Sequence, residues 1–154
     1  MHIIKFIYRL VVVTNIVHHA LAQQKILNIM PLGDSITQVG CWRAYLWDKL
    51  AQSGITNIQY VGSMTDGKNC SLPSYDRKHE GHAGHQAIDI ANRPDYLATW
   101  MKGYTPDIVT IHLGTVDIVY GKPLKDTLAA FDKIVDMIRA KNPDTTFIVS
   151  HYFL

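Results

Sequence analysis

The sequence has little charge and very little cysteine. Charged residues make up 18% of its 154 residues, hydrophobic residues make up 47%, and the formal net charge is +2. This balance excludes a chain held open by charge repulsion and indicates one folded domain. Long hydrophobic runs are also missing: no stretch of about 18 apolar residues occurs, so we expect no membrane-spanning helix in the body of the chain.

Residues 1–22 differ from the rest of the chain. Lys5 and Arg9 precede the apolar string VVVTNIV, and small residues follow up to Ala22. This order of basic, apolar and small residues is typical of a secretory signal peptide, so we predict cleavage after Ala22 and a mature domain over 23–154. A short membrane anchor or a buried first helix is the alternative.

Positive and negative charges balance in the predicted mature domain. Residues 1–22 contain two basic and no acidic residues, so the remainder has 13 of each sign. A domain without excess positive charge offers no electrostatic footprint for nucleic acid or for an anionic membrane. We therefore expect no nucleic acid partner, and no membrane partner after signal cleavage.

The two cysteines, Cys41 and Cys70, both lie in the predicted mature domain. An even count in an oxidising compartment favours a disulfide, which would close a loop of about 30 residues and stabilise the fold by about 3 kcal/mol. Two free thiols are the alternative. Asn69 opens an N-glycosylation sequon, Asn-Cys-Ser, although a disulfide at its middle residue would hinder modification. We expect a secreted, extracellular protein.

Four short apolar strings are rich in isoleucine and valine: KILNIM at 25–30, NIQYVG at 57–62, DIVTIHL at 107–113 and TTFIVS at 145–150. Strings that are apolar on both faces are typical of strands covered by helices on both sides of a sheet. Helical patterns separate these strings. The alternation predicts an α/β fold with a parallel sheet and right-handed crossovers.

The helical patterns predict which faces pack on the sheet. In CWRAYLWDKLAQSG, one face holds Trp42, Tyr45, Leu46 and Leu50. The middle pattern, HQAIDIANRPDYLATWM, is interrupted at Pro94. The last pattern, PLKDTLAAFDKIVDMIRAKNP, carries an apolar stripe of five residues. They are Leu124, Leu128, Phe131, Val135 and Ile138.

Polar clusters follow three of the predicted strands. Ser35 follows the first, the string HEGHAGH at 79–85 lies beyond the second, and Asp117 follows the third. Ligands bind at the carboxyl ends of the strands in open parallel sheets. We therefore expect these three clusters to meet at one edge of the sheet.

The strings IMPLGDSIT, WRAYLW, HEGHAGH and HLGTVD occur in this order along the chain. In sequence and spacing they resemble the SGNH hydrolases, also called GDSL-type esterases, and among these the acetylxylan-esterase-like family-3 carbohydrate esterases. The resemblance extends over residues 26–154. It implies a three-layer, doubly wound parallel sheet of flavodoxin-like topology, and a serine esterase acting on acyl, chiefly acetyl, esters of carbohydrates. We expect no cofactor and no metal.

The resemblance also implies roles for individual residues. It places the nucleophile at Ser35, whose backbone N–H is one donor to the oxyanion of the tetrahedral intermediate. The string GHAGHQA matches the family pattern G-x-S-G-x-T, which places a second backbone donor at Gly84, with Gly81 as the alternative. Asp34 and Asp117 match positions that support the loops of the site.

Two features depart from the family pattern. Val116 stands where the G-x-N-D block has an asparagine, and losing one oxyanion donor typically costs about 10²- to 10³-fold in rate. The family's base comes from an Asp-x-x-His pair after a fifth strand, and no such pair follows the fourth strand before Leu154. We therefore expect four strands, a domain incomplete at its C-terminus, and an esterase that is impaired in this form.

The histidines of the chain do not supply an evident replacement for that base. The string DRKH has the right spacing but ends at His79, before the second block. His79, His82 and His85 are spaced like metal ligands on a helix, but the glycines between them argue against a helix and against a zinc site. His112 is expected to be buried, and His151 has no evident acid partner.

Three functional hypotheses remain at this point, and whether the chain is an enzyme stays open among them. The chain is an active esterase, a catalytically silent relative that binds carbohydrate, or a truncated gene product of an esterase. The expected partner is an acylated carbohydrate or another small ester. Without a fifth strand, the fourth would be an exposed edge ending in the apolar string HYFL, so we also expect self-association through that edge.

Overall fold

The computed structural model describes residues 25–67, 70–72 and 74–150 of the chain. The predicted signal peptide at 1–22, the sequon residue Asn69 and the terminal string with His151 lie outside these described residues. Within them, no helix has both the length and the apolar character needed to cross a membrane.

One parallel sheet forms the centre of the fold. Its strands are β1 (Leu27–Gly33), β2 (Ile58–Tyr60), β3 (Glu80–Gly81), β4 (Ile108–His112) and β5 (Thr146–Val149). The order across the sheet is β2-β1-β4-β5, and the short β3 pairs with β1 beyond the end of β2. The predicted α/β fold with a parallel, doubly wound sheet is confirmed.

The first strand is placed differently from its prediction. It ends at Gly33 rather than at residue 30. It therefore includes Pro31, although proline lacks an N–H and is normally confined to sheet edges. The described sheet has five strands, so the expected number of four is wrong. The additional strand is the two-residue β3, which was not predicted because Glu80 and Gly81 carry no apolar pattern.

Pro31 fits this central strand because of a gap between its neighbours. The odd-numbered residues of β1 face β2 and β3: Ile29 O accepts a hydrogen bond from Val61 N at 2.9 Å, and Gly33 O accepts one from His82 N at 2.8 Å. Pro31 falls between the β2 and β3 registers. Its missing N–H therefore costs the sheet no hydrogen bond.

Within the described part of the chain, six helices connect the strands. They are α1 (Ser35–Val39), α2 (Trp42–Gln52), α3 (Ala87–Asn92), α4 (Pro94–Trp100), α5 (Thr115–Val119) and α6 (Leu124–Arg139). The predicted interruption at Pro94 is confirmed, since α3 stops before it and α4 begins at it. Proline is well placed as the first residue of a helix, where its N–H would have no partner within the helix.

Helices cover both faces of the sheet, as expected for three layers. On one face, Ile29 and Tyr60 pack against Trp47 of α2. On the other, Met30 and Leu32 belong to a larger core formed with α3, α4 and α6. Successive β1 side chains therefore enter opposite cores, which explains why the strand is apolar on both faces.

The predicted packing face of α2 is partly wrong. Tyr45 is 56% exposed, whereas Arg43 and Ala44 are buried. The Arg43 side chain donates to Thr37 O at 2.9 Å, to Gln38 O at 3.0 Å and to Arg77 O at 2.9 Å. A charged residue takes the inner position because backbone carbonyls satisfy its donors there.

The predicted stripe of α6 is also partly wrong. Leu124 is 67% exposed and Leu128 is 56% exposed. The buried row of this helix is Thr127, Ala130, Ile134 and Ile138. This row is inner because α6 packs against α3, and the small side chains of Thr127 and Ala130 allow a close approach. The larger apolar residues line a cavity of about 520 Å³ beside Val149.

A disulfide joins Cys41, just before α2, to Cys70 in the long connection between β2 and β3, with the two Cα atoms 5.7 Å apart. The predicted pairing is confirmed, and the free-thiol alternative is wrong. By limiting the unfolded chain, a loop of this size contributes about 3 kcal/mol to the free energy of unfolding.

Candidate active site

The loops after β1, β3 and β4 meet at the carboxyl edge of the sheet. Asp34 N, just after β1, donates to His112 O at the end of β4 at 3.3 Å. His82 N, just after β3, donates to Gly33 O at 2.8 Å. Ser35 follows β1 itself, and the other two polar clusters lie at β3 and at the end of β4, which both pair with β1.

Ser35 is the first residue of α1 and is half-buried. The fully buried Asp34 caps this helix, since its Oδ1 accepts a hydrogen bond from Ile36 N at 2.9 Å. The first N–H groups of a helix have no acceptor within it. Accordingly, no described residue accepts a hydrogen bond from the Ser35 backbone N–H, which is left for a ligand.

The two candidate glycines lie in different surroundings after β3. Gly81 is buried, and a Cβ there would lie 2.5 Å from Gln38 N of α1, so this position admits no side chain. Gly84 is exposed, with a φ of +79°, and a Cβ there would touch nothing. Between them, Ala83 N donates to Gln38 Oε1 at 2.9 Å and holds this loop beside α1.

Among the described residues, none accepts a hydrogen bond from the Gly84 backbone N–H. Because the φ of Gly84 is positive, any other residue at this position would be strained, even though there is room for a side chain. Of the two glycines, Gly84 is the one in an exposed turn, and Gly81 is fixed by its close packing on α1.

Val116 and Asp117 lie in the first turn of α5, directly after β4. The buried Asp117 carboxylate accepts hydrogen bonds from Ala87 N at 2.8 Å and from Ile88 N at 3.1 Å. It therefore ties the loop after β4 to the start of α3, which follows the Gly84 turn. Val116 is half-buried, and its side chain has neither a donor nor an acceptor.

Comparison with known proteins agrees with this arrangement. Residues 32–153 match the GDSL-like Lipase/Acylhydrolase family. The chain belongs to this family. The resemblance of its sequence strings to SGNH, or GDSL-type, hydrolases is confirmed.

Individual relatives include carbohydrate esterases. The structure of a carbohydrate esterase family 3 protein from Talaromyces cellulolyticus is 38% identical, with a TM-score of 0.74, and the match covers 80% of this chain and 60% of that one. An acetyl esterase variant crystallised with an acetate ion is 37% identical, with the same TM-score and coverage. A multidomain esterase from Ruminococcus flavefaciens is 33% identical over 138 residues.

This GDSL-family chain is shorter than those relatives. It spans about 60% of the length of the two solved esterases. Its match covers 76% of this chain and 18% of the multidomain esterase.

The DRKH string does not form an acid–base pair in this SGNH fold. No hydrogen bond or ion pair joins Asp76 to His79 in the described residues. His79 Nε2 lies 3.0 Å from Asp66 O, and His79 Nδ1 accepts a hydrogen bond from Gly81 N at 2.9 Å. Burial, together with the nearby Arg43 guanidinium, lowers the pKa of His79. Its neutral ring thus supports β3.

A buried carboxylate in this edge of the SGNH fold went unnoticed in the sequence. Glu80 is fully buried and accepts hydrogen bonds from Ser63 N, from Ser63 Oγ at 2.9 Å and from Tyr104 Oη at 2.7 Å. His82 Nε2 lies 2.8 Å from Glu80 Oε2. Burial, and then the hydrogen bond to Glu80, raise the pKa of Tyr104, so the phenol remains a donor.

His82 and His85 lie beside each other, with ring centroids 5.3 Å apart, whereas His79 contacts Asp66 and Gly81. The His82 ring stacks on Trp100, with centroids 3.8 Å apart, and His85 lies against Tyr96 at 5.5 Å. Within the described residues, no group of three histidine, cysteine or acidic side chains is arranged to hold a metal ion.

Proposed function

We propose that this chain carries the nucleophile of a serine esterase that removes acyl groups, acetyl in particular, from carbohydrates. The observation that carries the proposal is the position of Ser35. It opens a helix at the carboxyl end of β1, and its backbone N–H has no acceptor among the described residues. The loop with Gly84 lies on the same helix through the contact of Ala83 with Gln38.

The proposed reaction uses these groups in order. Ser35 Oγ attacks the ester carbonyl carbon, and its proton passes to a base. The oxyanion that develops receives hydrogen bonds from the backbone N–H groups of Ser35 and Gly84. As the intermediate collapses, the C–O bond to the sugar breaks, the base returns its proton to the leaving oxygen, and the sugar departs with a free hydroxyl. The acyl-serine that remains is hydrolysed by water to the free acid and the serine hydroxyl. Asp34 and Asp117 keep the loops in place through their hydrogen bonds to Ile36, Ala87 and Ile88.

The substrate class is proposed from the relatives. The two solved proteins are named an acetyl esterase and a carbohydrate esterase of family 3. Acylated carbohydrate is therefore the proposed substrate, and no cofactor takes part.

We further propose that the 154 residues alone hydrolyse esters only slowly. A serine hydroxyl is a weak nucleophile without a base, and the rings of His79 and His82 already lie within hydrogen-bond distance of Asp66, Gly81 and Glu80. Val116 leaves the family's third oxyanion donor unfilled. A catalytically silent protein that retains carbohydrate binding is the alternative function, and Val116 is the observation that favours it.

The protein is also proposed to be secreted. The disulfide between Cys41 and Cys70 is consistent with an oxidising compartment. The basic and apolar pattern of residues 1–22 supports the same route. Detection of the reduced protein in the cell and none in the medium of the expressing organism would contradict it.

The function is tested by hydrolysis of p-nitrophenyl acetate. We expect the 154-residue chain to exceed the buffer rate by a small factor, and Ser35→Ala to fall to the buffer rate, because no other residue takes the place of the nucleophile. Ser53→Ala is the matched control, since Ser53 lies at the far end of α2 and hydrogen-bonds Lys49 O. A Ser35→Ala variant as active as the wild type would contradict the esterase proposal.

A further inference from the structure

A small cavity lies directly beside the Gly84 turn. It has a volume of about 270 Å³ and is lined by Ala83, Gly84, His85, Asp89, Arg93 and Tyr96. Pockets for drug-sized ligands are typically about 300–1,000 Å³, so a space of this size suits one small ring. Because the lining includes Gly84, the cavity adjoins the proposed acyl centre. We call it the Gly84 cavity.

Two opposite charges face the Gly84 cavity without neutralising each other. Asp89 lies in the first turn of α3, and Arg93 lies between α3 and α4. No ion pair joins these two side chains. Among the described residues, Asp89 has no hydrogen-bond partner, and the Arg93 guanidinium donates to Tyr96 Oη alone, at 2.6 Å. Both groups therefore have hydrogen-bonding capacity left for a ligand.

One wall of the Gly84 cavity is connected to the sheet through stacked rings. The Tyr96 ring lies between the Arg93 guanidinium, 5.3 Å from its centroid, and the Trp100 ring, at 5.2 Å. Trp100 in turn stacks on His82, which bonds the buried Glu80 of β3. This series of contacts connects the cavity wall to the sheet and restricts the Tyr96 ring, so less side-chain entropy is lost when a ligand binds.

The chemistry of the lining selects among ligand classes. An anion placed here meets the Asp89 carboxylate, and a cation meets the Arg93 guanidinium. An alkyl chain would remove water from both charges and return no hydrogen bond. A neutral molecule with adjacent hydroxyl groups does better, since it donates to Asp89 and accepts from Arg93 at the same time.

We propose that the Gly84 cavity binds a sugar ring of the substrate, with Asp89 and Arg93 as its specificity-determining residues. This inference rests on the proposed function for its meaning, because it gives the alcohol part of a carbohydrate ester a place next to the acyl centre. Nothing in the proposed role of Ser35 requires it. The sugar ring hydrogen-bonds through neighbouring hydroxyls and lies along the wall formed by His85 and Tyr96.

The test is a binding titration that needs no turnover. Methyl β-D-xylopyranoside and methyl β-D-glucopyranoside are added to the ¹⁵N-labelled 154-residue chain, and amide shifts are followed by NMR. We expect saturable shifts at the Gly84 turn and at the α3–α4 junction. Asp89→Asn and Arg93→Gln each raise the dissociation constant by about three- to ten-fold, the loss typical of one hydrogen bond. Asp95→Asn and Lys102→Gln, exposed residues outside the cavity lining, are the matched controls and leave it unchanged.

Three results would overturn the sugar site: no saturable shift in the wild type, equal affinity in the cavity variants and controls, or inorganic phosphate binding at these residues in place of the glycosides. Failure of this proposal is distinct from failure of the esterase. If Ser35→Ala keeps full hydrolysis, the esterase proposal fails while the titration result stands. If only the titration fails, Ser35 keeps its proposed role and the sugar lies elsewhere.

Discussion

Val116 lies in the first turn of α5, at the position where the family pattern has an asparagine. Replacing it by asparagine adds an amide donor near the loops that bear Ser35 and Gly84. We expect Val116→Asn to raise the rate of p-nitrophenyl acetate hydrolysis by up to about 100-fold, because removing one such donor from other hydrolases costs about 10²- to 10³-fold.

The matched control for this change is Val119→Asn. Val119 lies on the same short helix but is 76% exposed, so an amide there is hydrated by solvent. Equal rates for Val116→Asn, Val119→Asn and the wild type, with Ser35→Ala still inactive, would contradict the assignment of position 116 to oxyanion stabilisation.

At the residue scale, local patterns were informative and distant contacts were not. The position of Ser35 after a strand was predictable, because a short string contains both the strand and the helix start. The role of Glu80 was not, since its partners Tyr104 and Ser63 are brought to it only by folding. The proposed roles of Asp89 and Arg93 could not be predicted from the sequence either, because charged residues on short helices are usually solvated.

At the scale of elements, the strands were predicted better than the helix faces. A strand that is apolar on both sides has few alternative placements in an α/β fold. A helix has several, and its buried row depends on its neighbours. Arg43 took an inner position on α2 because carbonyls of α1 and of the loop before β3 were there to receive its donors. Sequence periodicity contains no signal for those carbonyls.

The edge strand β5 carries a prediction of its own. Its Ile148 is 56% exposed, and among the described residues β5 pairs only with β4. An exposed apolar edge invites pairing with a second chain. We expect the 154-residue chain to associate as its concentration rises, and Ile148→Lys to shift it towards the monomer, as measured by sedimentation velocity.

The control for this prediction is Val119→Lys. Val119 is exposed as well, but it lies on α5 rather than on the sheet edge. The edge prediction would be contradicted by a wild-type chain that stays monomeric and monodisperse at high concentration, or by equal effects of the two lysines.

At the scale of the whole molecule, the sheet gathers the site at one edge. The disulfide and Arg43 fix the long connection between β2 and β3 against α1 and α2. Asp117 fixes α3 against the loop after β4. These contacts keep Ser35 and the Gly84 cavity at the same edge of the sheet. The proposed acyl centre and the proposed sugar site are therefore neighbours.

The family and the doubly wound fold could be predicted from the sequence, because several short strings match the family and occur in its order along the chain. The catalytic competence of the 154 residues did not follow. It depends on whether a base lies within hydrogen-bond distance of Ser35 Oγ, and sequence patterns do not determine that distance.

The most direct measurement is covalent labelling of that hydroxyl. The 154-residue chain is incubated with a fluorophosphonate, digested, and the modified peptide is located by mass spectrometry. We expect phosphonylation at Ser35, none in Ser35→Ala, and faster labelling in Val116→Asn. Labelling at any other serine, or no labelling of Ser35 in any variant, would contradict the central claim that Ser35 lies in a pocket for acyl transfer.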